Sequence, residues 1–372
     1  MTSTTRRDSP LSRDRVLRAA VAFADGNGLA SLSMRKLGET LGVEAMSLYH
    51  HVANKAELLD GMVDLVFAEI DLPADGADWK TAMRVRAASV DRGTWHLMTG
   101  LPYPIRLAGF GLRRPKPLNP GRSVAGTVAA VGADVTGIRP GDEVYGTADG
   151  AFAEYARTKA GRLTARPANL SDEQAAAVPV SGLAALQAVR HAGIQPGEAV
   201  LVIGASGGVG TFAVQIAKAH GAEVTGVSST AKVDLVRKLG ADHVVDYTRD
   251  DPTQARHYDA ILDIGGNRRL SQLRGALTPR GRLVIVGGET DGRWLGGTDR
   301  QLRAQVLSPF VSQRLGTFIT SENAADLATL RELIEAGKVT PAVDRSYPLA
   351  QTAAAIRYLR EGKARGKVVI RI

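Results

Sequence analysis

Ala199-Val-Leu-Val-Ile203 runs straight into Gly204-Ala205-Ser206-Gly207-Gly208-Val209-Gly210, and a helix is predicted over 211–220. Five apolar residues in a row suit a strand covered on both faces of a parallel sheet. Gly207 and Gly210 let backbone approach a pyrophosphate and let helix pack on strand. The helix N-terminus adds N–H donors and a partial positive charge. Ala205 stands where the usual fingerprint has its first glycine. With its strand before and its helix after, the stretch predicts a dinucleotide-binding turn. Residues 199–217 carry no charge, but their four glycines argue against a membrane span.

Outward from this turn the chain alternates. Strands are expected at 199–203, 223–227, 243–245, 258–262 and 282–287. Helices fall between them, others lie near 300–312, 323–336 and 350–361, and a last strand spans 367–372. That order predicts a doubly wound parallel sheet. Before residue 175, short strands at 84–88, 124–131, 143–146 and 152–157 are split by closely spaced glycines, which suits a compact β-barrel. Before residue 83 the pattern is helical: 12–27 capped by Ser12, 33–41, 44–51 after a turn at Gly42-Val43, and 55–70 capped by Asn54. Residues 33–51 have helix-turn-helix spacing, whose second helix would offer Ala45, Met46, Ser47, Tyr49 and His50 to base edges.

Composition narrows the classes. The chain has 372 residues and no cysteine, which excludes disulfides and thiolate zinc sites. Residues 1–18 hold no apolar run of the kind a signal peptide needs, so a cytoplasmic protein without a membrane segment is expected. The net charge is +9, yet residues 1–80 carry 9 Lys and Arg against 12 Asp and Glu. The basic excess therefore lies outside the helical head. Within the head, Arg6, Arg7, Arg13, Arg15, Arg18, Arg35 and Lys36 cluster early, as a phosphate-facing surface requires.

Cofactor choice is read at the end of the second strand of the α/β unit, Ser228-Ser229-Thr230-Ala231-Lys232. An acid there would favour NAD; hydroxyls and a cation accommodate a 2′-phosphate, which predicts NADPH.

Two resemblances extend these readings. Ser33-Met-Arg-Lys-Leu37, Leu41-Gly-Val43, Ser47-Leu-Tyr-His-His-Val52 and Asn54-Lys55 resemble the tetracycline-repressor (TetR) family over about residues 10–82. That resemblance implies DNA contacts from Arg35, Ser47, Tyr49, His51 and Lys55. Residues 84–372 resemble zinc-free medium-chain dehydrogenases/reductases of the quinone-oxidoreductase group. The carrying stretches are Arg86-Ala-Ala-Ser-Val90, Trp95-His-Leu-Met98, Gly141-Asp-Glu-Val144, Phe152-Ala-Glu-Tyr155, Ala175-Ala-Ala-Val-Pro179, the glycine turn, Leu239-Gly-Ala-Asp-His-Val244 and Arg365-Gly-Lys-Val-Val369.

The second resemblance implies a GroES-like barrel beside a Rossmann domain, with hydride passing from NADPH to a quinone or enone-like carbonyl in the cleft. It implies catalytic positions at Asp91 and His96, where relatives often have Asn and Tyr. His96 would give a hydrogen bond or a proton to the carbonyl oxygen. It also implies cofactor contacts at Tyr247, Gly265, Asn267, Val286, Gly287, Gly288 and Lys367. Gly121-Arg122-Ser123 replaces the Gly-His-Glu of zinc-dependent relatives, so no metal is expected. Relatives usually have an acid at Ser123 and a Thr near Ala184, so weaker polar support is expected in the cleft.

The expected organisation is multi-domain: an all-α helix-turn-helix head over 1–80, a truncated GroES-like barrel over 81–170 plus 340–372, and an α/β Rossmann domain with a parallel sheet over 171–339. Because the barrel begins late, an unpaired strand edge and impaired turnover are expected. Partners implied are a carbonyl or quinone, operator DNA and a second copy of the chain. The alternative is a transcription regulator that uses the Rossmann domain as a sensor.

Overall fold

A computed structural model describes residues 11–28, 31–68, 81–99, 119–254, 256–265, 268–287 and 298–372. The chain divides into two compact units, Met1–Asp71 and Leu72–Ile372.

The first unit holds α1 (Arg13–Asn27), α2 (Met34–Leu41), α3 (Ala45–Leu48) and α4 (Lys55–Ala68). Ser12 caps α1 by accepting from Arg15 N, as its sequence position predicts, and Ser33, expected as the first residue of the second helix, instead caps α2 by accepting from Lys36 N. Gly42 ends α2 in the left-handed region, a conformation open to glycine at little cost. Val16, Leu17, Ala20, Leu37, Leu48, Val52 and Leu58 form a core within this unit. The third helix is shorter than predicted: after Leu48 the chain tightens into turns through His51.

The second unit runs β1 (Thr81–Val90), α5 (Arg92–Thr99), β2 (Ser123–Val131), β3 (Glu143–Thr147), β4 (Tyr155–Arg157), β5 (Leu163–Ala165), α6 (Asp172–Ala176) and α7 (Pro179–Ala192). It continues with β6 (Ala199–Ile203), α8 (Gly208–Ala219), β7 (Glu223–Ser228), α9 (Val233–Lys238), β8 (His243–Asp246), β9 (Tyr258–Asp263), α10 (Leu270–Gly275) and β10 (Leu277–Ile285). It closes with α11 (Thr298–Leu307), β11 (Arg314–Thr317), α12 (Ala324–Glu335), β12 (Val343–Pro348), α13 (Thr352–Arg360) and β13 (Lys367–Arg371).

One sheet has the order β12-β13-β1-β2-β3-β5, with β4 also on β1. The other has the order β11-β10-β9-β6-β7-β8, and its ladders are parallel. The last two strands, β12 and β13, return to the first sheet; of these only the final strand was expected.

The expected open edge is not found at β1. Its residues pair with β2 along one side, and with β4 and then β13 along the other. Met83, Val85 and Ala87 are buried.

Candidate cofactor cleft and nucleic-acid interface

The glycine turn follows β6, and backbone crowds it at Gly204 and Gly210. Gly204 has φ 83°, and a Cβ there would lie 2.9 Å from the Gly265 nitrogen. A Cβ on Gly210 would lie 2.1 Å from the Gly204 oxygen. Ala205 N donates to Val227 O at 3.0 Å, and Ser206 O accepts from Gly366 N at 3.0 Å. Gly207 caps α8 without a side-chain bond, so the helix start keeps orphan N–H donors for an anion. Gly208, Val209 and Gly210 form that first turn. The cradle therefore fits a pyrophosphate. Ile264 N and Gly265 N both donate to Ile203 O, and Val286 N and Gly287 N donate to Asp263 O. These bonds draw the ends of β9 and β10 against the turn. Asn267 and Gly288 lie outside the described residues.

Below the turn, four chain segments meet in one polar cluster. Asp91 follows β1, Ser123 opens β2, Ser181 sits in the first turn of α7, and Lys367 opens β13. The Lys367 ammonium donates to Asp91 Oδ1 and, at 3.0 Å, to Ser181 Oγ. Ser181 and Ser123 donate to the two Asp91 carboxylate oxygens, each at 3.1 Å. Ser123 Oγ also accepts from Val180 N at 3.2 Å. The Lys367 and Asp91 side chains are 2% and 9% exposed. A Cβ on Gly208 would come 3.1 Å from Lys367 Cδ and from Ser181 Oγ, so this floor touches the helix start directly.

The geometry changes two expectations. Asp91 has both oxygens engaged, which suits a positioning carboxylate better than a proton carrier. Ser123 supplies polar support instead of removing it, because its hydroxyl reaches Asp91. His96 lies half-buried on α5. Sequence reading missed Ser181; its only signal is a hydroxyl just after a helix-opening Pro179. It also missed the ion pair of Asp263 with Arg300, in which Asp263 is fully buried at the end of β9.

At the end of β7, Ser228 is buried and its hydroxyl donates to Ser229 O at 3.4 Å. Lys232 does not stand free, as the sequence suggested. Its ammonium donates to Gly362 O at 2.8 Å and Ala364 O at 2.7 Å. Burial, opposed by Asp344 and aided by Arg365, lowers its pKa. Asp246, in register with Ser228, accepts from Thr230 Oγ1, Thr248 Oγ1 and Thr248 N. Those bonds, Thr230 first, hold it below the usual carboxylate range. Tyr247 is 55% exposed beside it.

In the head, Met46, Tyr49 and His50 are exposed, and Ser47 and His51 are half-buried. Arg35 is exposed and pairs with Glu39 at 3.2 Å. The Lys55 ammonium is bound to Leu32 O, so it braces the fold. Met46, Tyr49, His50 and Arg35 are thus open to solvent on the head.

Comparison with known proteins follows this division. Residues 16–62 match the model for bacterial regulatory proteins of the tetR family. Residues 78–168 match the alcohol dehydrogenase GroES-like domain, and 239–370 match the zinc-binding dehydrogenase model. Mouse mitochondrial NAD(P)H oxidoreductase RTN4IP1 is 34% identical over 282 residues, covering 69% of this chain and 71% of that protein. The quinone oxidoreductase from Coxiella burnetii superposes with a TM-score of 0.70 at 25% identity, covering 82% of this chain and 94% of the other. An NAD-dependent alcohol dehydrogenase superposes with a TM-score of 0.66 at 28% identity, over 82% and 95%.

Proposed function

The chain belongs to the medium-chain dehydrogenase/reductase family and carries an N-terminal tetR-family head, and on that premise we propose that it is an NADPH-dependent, zinc-independent reductase of quinones or enone-like carbonyls. The observation that carries this reading is the glycine cradle of 204–210 set directly on the Asp91–Lys367–Ser181 floor. The α8 N-terminus and the turn's backbone hold the pyrophosphate. Gly265, Val286 and Gly287 form the wall at the strand ends. When bound, the dihydronicotinamide supplies a hydride. Asp91 and Lys367 fix the floor of the cleft and keep water from it. His96 holds the proton that the substrate oxygen needs. The absence of cysteine and the Gly121-Arg122-Ser123 stretch support chemistry without zinc. NADPH oxidation by the purified chain with a simple quinone tests the reading. Oxidation that needs added zinc, or none with any quinone or enone, overturns it.

The exposed Met46, Tyr49 and His50 favour a second role, operator binding by the head. A gel shift with duplex DNA, with and without NADPH, tests it. A shift that depends on NADPH favours the sensor alternative, and no shift removes the DNA role. Leu302, Val306, Phe310 and Ile319 are exposed apolar residues around the edge strand β11, which supports a homodimer. Sedimentation at micromolar concentration checks it. Among the described residues no helix is long and apolar enough to cross a membrane.

A further inference from the structure

The glycine turn lies at the carboxyl ends of the parallel strands, where ligands bind in open α/β sheets. A second depression lies at the opposite end of that sheet, where α8 and α9 finish just before β7 and β8 begin. Its volume is about 750 Å³, and its walls are the end of α8, the end of α9 and the 337–342 segment between α12 and β12. Lys218 stands ten residues along α8 from Gly208, about 15 Å at the helical rise. The depression is therefore separate from the pyrophosphate cradle.

Among the described residues, Lys218, Lys238 and Lys338 line it, and no carboxylate and no aromatic side chain does. The Lys218 ammonium is engaged, donating to both Asp242 oxygens at 2.8 Å and to Ala222 O at 3.0 Å. Lys238 and Lys338 are exposed, and their ammonium groups have no hydrogen-bond or ion-pair partner among the described residues. A helix end favours a nearby cation and so lets these three gather. It does not neutralise an ammonium group as a carboxylate would.

The wall that carries Lys338 is fixed from below. The buried Gln215 side chain accepts from Thr340 N at 2.8 Å and donates to Thr340 O at 3.0 Å. Lys367 N donates to Ala342 O at 2.8 Å. The Thr340 hydroxyl itself is exposed and makes no hydrogen bond among the described residues. Two ammonium groups from separate elements and one hydroxyl are thus left to a ligand on a braced backbone.

We propose that this depression is a second anion site, for a compact small molecule that carries two or more phosphate groups. Ammonium groups are point-charge donors for phosphate oxygens, and charge-assisted bonds of this kind are the strong ones. The volume falls in the range of small-ligand pockets and is larger than one phosphate fills. With no aromatic face on which a base could stack, the recognised part of the ligand is its phosphate chain.

The test measures calorimetric binding of inorganic tripolyphosphate to the full chain, with the glycine turn first saturated by NADP+ or NAD+, whichever binds tighter. Binding should persist under that saturation. It should weaken by about tenfold or more in the double variant Lys238→Ala with Lys338→Ala. It should largely survive in Lys238→Arg with Lys338→Arg, which keeps both charges. Both lysines are exposed and unpaired, so neither pair of substitutions should move the melting temperature or the affinity for the dinucleotide. The lysine variants decide the site whether or not either dinucleotide binds. Tripolyphosphate that the saturating dinucleotide displaces, or that the alanine variant binds as tightly as the wild type, overturns the site. So does a wild type that takes up none at about millimolar concentration. A DNA duplex whose binding falls in the alanine variant while tripolyphosphate binding holds assigns the surface to nucleic acid and overturns the small-molecule site as well.

Discussion

The glycine turn and the polar cluster below it are built by opposite means. The glycine turn is seven consecutive residues, and its shape is set by backbone: a left-handed Gly204, the Gly210 backbone close against Gly204, and bonds from Ala205 N and to Ser206 O. The floor is made of side chains from positions 91, 123, 181 and 367, brought together by three strands of one sheet and a helix. A backbone site tolerates many sequences but few Cβ atoms. A side-chain site tolerates a change of backbone setting but not the loss of one partner charge.

That contrast can be broken experimentally, and the floor should give the largest effect. Lys367→Met leaves the Asp91 carboxylate buried without its cation and should cost about 3–5 kcal/mol in urea unfolding. The double variant Asp91→Asn with Lys367→Met should recover most of that loss. A single-variant cost below about 1 kcal/mol would mean the pair is not buried as an ion pair.

In the turn, Gly210→Ala forces a Cβ to 2.1 Å from the Gly204 oxygen, where only backbone could give way. A loss of about 3 kcal/mol, with cofactor binding abolished, is expected. Gly208→Ala meets only the Lys367 and Ser181 side chains at 3.1 Å; it should cost about 1 kcal/mol and act by disturbing the floor. Equal costs at the two glycines would erase the distinction between backbone and side-chain construction.

The smallest effect is expected away from both, at the start of β7. Arg256, then His243, hydrogen-bond Glu223 and hold its carboxyl at about 2 against an ordinary 4.5. A depressed carboxylate contributes stability that is complete above pH 4.5 and lost as pH falls toward 2. The side chain is 41% exposed, so screening should keep the contribution under about 1 kcal/mol. Glu223→Gln should flatten the acid limb of a melting-temperature profile between those pH values. An unchanged limb would remove the network from the account.

Much of the fold was legible because its signals are local. The run 199–203 and the turn after it announced the parallel sheet, and Ser12 and Gly42 marked helix ends where the structure has them. The short strands β5, β11 and β12 were not legible. Three to six residues without strong periodicity become strands only when a neighbour's unpaired edge is present. The third head helix was predicted too long, since 44–51 is apolar enough for a helix but tightens into turns after Leu48.

Of the site, the sequence by itself determined the cradle, because an anion bed of N–H groups needs only glycines at fixed spacing before a helix. It also marked Asp91, His96 and Lys367 as residues of interest through family resemblance. Only the tertiary structure decided their partners. Ser123 and Ser181 support Asp91 because β2 and α7 arrive beside it, and Lys232 reaches the carbonyls of Gly362 and Ala364. Hydrogen bonds and ion pairs act over about 3 Å, and nothing in the spacing of 91, 181 and 367 along the chain says that folding brings them within that reach.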